Sequence, residues 1–157
     1  MTTGISVREA GVEAIDEMMA TMRQAFDPGY GEAWTDAQSL SMLGLPGVWL
    51  SLARLDDQPA GFALNRATFD ETELLLLAVA PVFRRRGIGD SLIRRTKELS
   101  LIRNVDKVHL EVRHNNPALD LYIHAGFRIV GRRPGYYRGA NGEIHDALTL
   151  SCSLIVA

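Results

Sequence analysis

The chain of 157 residues has a single cysteine, Cys152. No internal disulfide can form, so packing alone must hold the fold. Cys152 stands in "DALTLSCSL", where apolar and small residues alternate, and it reads as a strand residue in a reducing, cytoplasmic setting. Long apolar runs are also missing. The longest, residues 74–83, lies between Glu73 and Arg84 and is too short for the roughly 20 residues that span a bilayer. A buried strand accounts for it. The opening "MTTGISVREA" has no basic segment followed by an apolar core, so no signal peptide is expected. Charge of one sign is not in excess. The formal net charge of −2 excludes nucleic-acid binding by bulk charge and leaves only local basic patches. The four histidines lack metal-ligand spacing: His109 and His114 straddle a strand, while His124 and His145 stand apart. No metal site is expected.

What is present suits one domain over residues 1–157. The 46% hydrophobic content is enough for one core, and nothing argues for a second. Residues 5–10 read as a strand. Residues 11–26 carry Val12, Ile15, Met18, Met19, Met22 and Phe26 at helical spacing, and "DPGYGEA" breaks that pattern. Thr35 is an N-cap for a second helix through about Leu43. Strands are expected at 48–55, 60–67 and 72–80 on the short turns "DDQP" and "TFDE", which makes an antiparallel meander. The pattern then changes to a loop at 81–87, a helix at 89–102 and a strand at 106–113. Asn115, Asn116 and Pro117 open a further helix, and Gly126 closes it in a left-handed C-cap. Strands at 127–133 and 145–154, separated by a loop at 134–143, end the chain. The fold class is therefore α/β: a mixed central sheet of about seven strands, with an antiparallel N-terminal meander, flanked by about four helices.

The stretch "VAPVFRRRGIGDSL" leaves a buried strand and enters a helix. A helix start offers unpaired N–H groups and partial positive charge, and glycines let backbone approach a ligand. Arg84, Arg85 and Arg86 add charge at the rim. Together these features suit an anion, and a diphosphate fits well. The stretch lacks the third glycine of a dinucleotide fold, because Leu92 occupies that place, and it lacks the Lys-Ser/Thr ending of a phosphate loop. A solvated basic turn and an RNA contact are the alternatives.

"RRRGIG" resembles the Gln/Arg-x-x-Gly-x-Gly/Ala signature of the Gcn5-related N-acetyltransferase superfamily. "NNPALDLYIHAGF", about thirty residues on, resembles the second signature of that family. "EAWTD", "LEVRHNN" and "GYYRGANGEIHDALTL" are similar to the RimI type, the bacterial ribosomal-protein-alanine N-acetyltransferases. The resemblance implies acetyl transfer from acetyl-CoA to an amine, most simply the N-terminal α-amine of a protein, without a metal. It also implies a sheet splayed at the end of the fourth strand, where pantetheine lies like an added strand.

The resemblance implies site residues as well. Glu111, mid-strand on the face opposite Val108, Leu110 and Val112, matches the base of the RimI type. An ion pair with Arg113 or with an arginine of a neighbouring strand is its structural alternative. Tyr122 matches the tyrosine that protonates the departing sulfur, since a phenol of pKa about 10 keeps its proton at neutral pH. Leu77, Ala78 and Val79 would line the donor, with a backbone N–H near Val79 facing the oxyanion. Arg84, Arg85, Arg86, Gly87, Ile88, Gly89 and Asp90 would cradle the pyrophosphate, although Asp90 departs from the basic or small residue usual there. Counting back from Tyr122, Asn115 would contact CoA, and this register is favoured because Ala118, Leu121, Tyr122, Gly126 and Phe127 agree with it; counting forward from Glu111 gives Asn116 instead. Apart from the resemblance, Trp34, Tyr136 and Tyr137, with Tyr30, fall in two predicted loops that could flank a peptide groove, with loop anchoring and edge packing as the alternative. Two other readings stay open. One is a small-amine acceptor such as a polyamine or aminoglycoside, for which Glu32, Asp36, Asp70 and Glu71 would supply acidity. The other is a CoA-sensing module without turnover.

Overall fold

The computed structural model describes residues 4–26 and 33–155. In chain order the elements are β1 (Ile5–Ala10), α1 (Ile15–Ala25), α2 (Asp36–Leu43), β2 (Val48–Leu55), β3 (Gln58–Thr68), β4 (Glu71–Val79), α3 (Ile88–Ile102), β5 (Lys107–Arg113), α4 (Ala118–His124), β6 (Arg128–Arg138) and β7 (Ile144–Ser153). This is the order that hydrophobic periodicity predicts. Short 3₁₀ turns at Val12–Ala14 and Pro81–Phe83 lead into α1 and follow β4. Tyr30 and Glu32 lie outside the described residues.

All seven strands form one sheet in the order β1-β2-β3-β4-β5-β7-β6. Every neighbouring pair is antiparallel except β4 and β5. Alternation along the strands puts a core on each face. On one face Met18, Met19 and Met22 of α1 pack on Leu50, Leu52, Phe62 and Leu64. On the other, Ile88, Leu92 and Ile93 of α3 pack on Ala53, Ala63, Leu74, Val108 and Leu150. Small residues bring α3 close to the sheet. A Cβ on Gly61 would stand 2.6 Å from the Ala78 carbonyl oxygen and 3.2 Å from Ile88.

Two irregularities shape the site. In β4, Leu64 pairs with Leu76 and Asn65 with Leu74, so Leu75 is an extra residue. The bulge turns Leu75 and Leu76 to the same face, that of α1, while Leu74 and Leu77 face α3. The second irregularity corrects a sequence expectation. The predicted loop at 134–143 is shorter, because β6 continues through Pro134 and Gly135 to Arg138. Arg133 pairs with Ala147 and Tyr137 with His145, so three residues bulge opposite Asp146. Gly135 has a left-handed φ of +65°, and its N–H donates to Asp146 Oδ1 at 3.0 Å. Tyr136 and Tyr137 therefore sit in a strand, not a loop.

Local capping follows the sequence reading. Thr35 accepts the Gln38 N–H at 3.1 Å, and the Gln38 side chain accepts the Thr35 N–H at 2.8 Å, a reciprocal capping box. The Asn116 side chain accepts the Ala118 N–H at 2.9 Å at the start of α4. Gly126 ends that helix with φ +99°.

Candidate active site

The parallel pair β4–β5 holds together over only three residue pairs, Glu71–Lys107, Thr72–Val108 and Glu73–His109. Beyond them the strands diverge, and the remaining β4 residues have no ladder partner on the β5 side. A cavity of about 450 Å³ fills the wedge. Its walls come from both faces of the sheet. Trp34, Phe26 and Gln38 contribute from the α1–α2 side, and Tyr122 and Asn116 come from α4 and its lead-in. Leu75, Leu76 and Leu77, at the bulge and just past it, form the β4 wall. The wedge thus opens a route through the sheet, with backbone hydrogen-bonding groups along one side.

Glu111 and Tyr122 both line this cavity. Glu111 comes from the face of β5 away from the α3 core, whereas Tyr122 is buried within that core. Tyr122 packs edge-on against Phe127 with ring centroids 5.9 Å apart. Glu111 Oε1 accepts from Arg133 Nη2 at 2.8 Å, an ion pair whose arginine comes neither from Arg113 nor from an adjacent strand but from β6, beyond β7. The Arg133 guanidinium lies 4.9 Å from the Tyr136 ring centroid. Tyr136 meets Tyr137 edge-on at 5.0 Å. Tyr136, Tyr137, Trp34 and Arg138 complete the wall on this side, so the three aromatic residues expected at the acceptor groove do converge.

The Gly135 N–H and the Arg132 guanidinium hold the Asp146 carboxyl below the usual aspartate range. Asp146 does not line the cavity, but it closes the bulge that carries Tyr136 and Tyr137.

The sequence reading missed one carboxylate. Glu73 lines the cavity and is half-buried. Among the described residues no hydrogen bond or ion pair holds it. Its place three residues from Leu76, at the start of the apolar run, was the available signal. The two asparagines also separate. Asn116 lines the cavity, whereas the exposed Asn115 accepts from the buried Arg113 guanidinium.

The "RRRGIG" loop leads from β4 into α3 as expected. Gly87 caps α3 at φ +86°, and no side chain caps the helix, which leaves first-turn N–H groups for an anion. Arg85, Arg86 and Asp90 are exposed around it. Ile88 and Gly89 are buried. A Cβ on Gly89 would come within 2.7 Å of Leu121, so this glycine serves the approach of α3 to α4. Arg84 is exposed as well, but its guanidinium donates to the Val79 and Ala25 carbonyls at 3.3 and 2.9 Å. Of the expected donor-lining residues, Leu77 borders the cavity. Ala78 is buried toward α1, and Val79 ends β4. Cys152 is buried in the α3 core. Among the described residues no group of three His, Cys, Asp or Glu side chains is placed to hold a metal ion, and no helix is long and apolar enough to cross a membrane.

A sheet splayed after a β-bulge, followed by a helix start without a side-chain cap, provides a cleft beside an anion seat. A sequence profile of the acetyltransferase (GNAT) family matches residues 15–127, and the chain belongs to this family of N-acetyltransferases. It is 37% identical over 97 residues to the ribosomal protein bS18-alanine N-acetyltransferase of Salmonella typhimurium, a match covering 61% of this chain and 65% of that protein, just under two thirds of its length. It is 30% identical over 152 residues to a Bacillus subtilis protein whose name assigns it the same activity provisionally, covering 96% of each chain. The crystal structure of the ribosomal-protein-S18-alanine N-acetyltransferase from Escherichia coli superposes with a TM-score of 0.85, at 24% identity, over 98% of this chain and 96% of that one.

Proposed function

We propose that this protein transfers acetyl directly from acetyl-CoA to the N-terminal α-amine of a protein, of the ribosomal-protein-alanine kind, in the cytoplasm. The observation that carries this reading is the wedge, which brings a carboxylate from one face of the sheet and a phenol from the other into one cavity. The names of the relatives support the acceptor class.

The donor's thioester end would lie along the unpaired edge of β4 at Leu77, Ala78 and Val79. The pyrophosphate would sit at the α3 start, where Gly87, Ile88, Gly89 and Asp90 present backbone and Arg85 and Arg86 add charge. Asn116, rather than Asn115, is the asparagine on the cavity wall. Trp34, Tyr136 and Tyr137 would flank the acceptor peptide.

An α-amine of pKa about 8 is mostly protonated at neutral pH, so it must lose a proton before attack. Glu111 takes that proton, directly or through water. The neutral nitrogen then forms a bond to the thioester carbonyl carbon. A backbone N–H of the β4 edge faces the developing oxyanion. As the carbon–sulfur bond breaks, Tyr122 gives its proton to the thiolate, the second proton of the nitrogen passes to the Tyr122 phenolate, and Glu111 releases the first to solvent, so both side chains recover their starting charge. Cys152, buried away from the cavity, takes no covalent part.

A second reading of the base rests on Glu73. Glu111 is already engaged by Arg133, whereas Glu73 has a free carboxylate on the same cavity. In that reading Glu73 accepts the proton and Glu111 anchors the Arg133–Tyr136 wall. A small polyamine acceptor has less support, because Asp36, Asp70 and Glu71 do not border the cavity. Asp36 instead pairs with Arg23, and Glu71 with Lys107.

The test is mass spectrometry of a peptide panel incubated with acetyl-CoA. The panel holds N-terminal Ala, Ser and Met peptides, their blocked counterparts and small polyamines. One acetyl gained on free N-terminal Ala supports the reading. Acetylation of polyamines alone moves the substrate, and CoA binding without any product leaves the sensing module.

A further inference from the structure

Three consecutive arginines look alike in sequence, but the chain treats the first differently. Arg85 adopts a left-handed backbone, φ +65°, which separates the direction of Arg84 from that of the residues after it. The Arg84 Nε–H donates to the carbonyl of Val79 at the end of β4. Its Nη2 donates to the carbonyl of Ala25, 59 residues away, the last residue of α1. One guanidinium thus joins the strand end on the donor side to the helix end on the acceptor side. Phe26, the next residue after Ala25, lines the cavity.

The chemistry suits a tie. The last carbonyls of a helix have no partner within it and carry partial negative charge. A planar fork of N–H donors can serve two carbonyls at once, which an ammonium does less well. A guanidinium held this way has its Nε and Nη2 donors already engaged by backbone carbonyls.

We propose that Arg84 is a positioning residue that couples the donor and acceptor halves of the site, and not a ligand of the donor's phosphates. The inference rests on the acetyltransferase reading for its kinetic consequence. It gives the first arginine of the motif a different job from Arg85 and Arg86.

The experiment compares wild type with Arg84→Lys and Arg84→Gln in three measurements: the Kd of CoA by calorimetry at two salt concentrations, the KM of an acceptor peptide, and amide exchange at Phe26. A tie predicts an acceptor KM raised about 5- to 10-fold in both variants, the size expected when one charge-assisted hydrogen bond is lost. CoA Kd stays within about 2-fold, and the Phe26 amide exchanges faster. A phosphate ligand predicts a weaker and less salt-sensitive CoA complex in Arg84→Gln, a nearly normal Arg84→Lys and an unchanged acceptor KM; that pattern overturns the proposal. Unchanged exchange at Phe26 also overturns it. The exchange measurement needs no turnover, so it decides the tie even if no peptide is acetylated and the functional reading fails.

Discussion

Glu111 and Arg133 meet at 2.8 Å although β7 runs between their strands. On β7, Glu111 pairs with Thr149 and Arg133 with Ala147, so the ion pair crosses that strand diagonally. It ties the central carboxylate of the cavity to the aromatic wall that faces the acceptor.

This relationship makes the assignment of the base a measurable choice. If Glu111 is the base, Glu111→Gln lowers kcat/KM by about 10²-fold or more and abolishes the acid limb of the pH–rate profile, while Glu73→Gln keeps it. If Glu73 is the base, the two variants exchange behaviour, and Glu111→Gln mainly raises acceptor KM. Steady-state rates from pH 5 to 9 on both variants separate the two.

Tyr122→Phe keeps the ring that packs on Phe127 and removes the phenolic proton. The expected outcome is a stable protein with kcat lowered about 10²-fold or more and the Kd of CoA little changed. Wild-type kcat in this variant would remove Tyr122 as the acid.

Arg85 and Arg86 project at the start of α3. Replacing both with Gln should weaken CoA binding about 10-fold or more and flatten its salt dependence, as expected for lost phosphate contacts. Calorimetry at low and moderate salt reads both effects.

Gly61→Ala tests the seat of α3. The added methyl meets a backbone oxygen, which cannot swing aside as a side chain can, and it also presses on Ile88 and Leu92. A loss of about 1–3 kcal/mol is expected, read from urea unfolding. Equal stability would show that α3 has room to shift.

Asp146 gives a pH prediction. Its carboxyl is held below the ordinary value of 3.8, first by the Gly135 N–H and then by Arg132, with His114 adding a smaller favourable charge. A depressed carboxylate stabilises the folded state at pH above its unfolded value, and the contribution disappears as pH falls through the folded value. The stability gap between wild type and Asp146→Asn should therefore be present at pH 5 and shrink below about pH 4. Denaturant unfolding at a series of pH values measures it, and a gap that persists to pH 2 would falsify the role of the charge.

The element order was legible because each helix and strand carries its own period, and Thr35, Gly87 and Gly126 mark ends by mechanisms that need no tertiary partner. The bulge at Leu75 was not legible. In "LLLLAV" every residue is apolar, so a change of face leaves no trace in the pattern. Pro134 and Gly135 read as a break, yet β6 absorbs them because Asp146, eleven residues on, supplies an acceptor for Gly135. Glu111 and Tyr122 stood out by their motifs, and the cavity contains both. Glu73 hid as the flank of an apolar run, since only the splay of β4 from β5 turns that flank into a wall. Arg84 was indistinguishable from its two neighbours until its partner on α1 was known.

The three-pair seam between β4 and β5 has a mechanical consequence. Four strands lie on one side of it and three on the other, each group laced by long antiparallel ladders. The lacing is shortest at Glu71–Glu73, so the two panels join there as the boards of a book join at the spine. Glu71 pins that spine at its outer end, 3.4 Å from Lys107 and 3.9 Å from His109. The mouth thus opens from a strip of chain that ends in Glu73, itself part of the cavity wall.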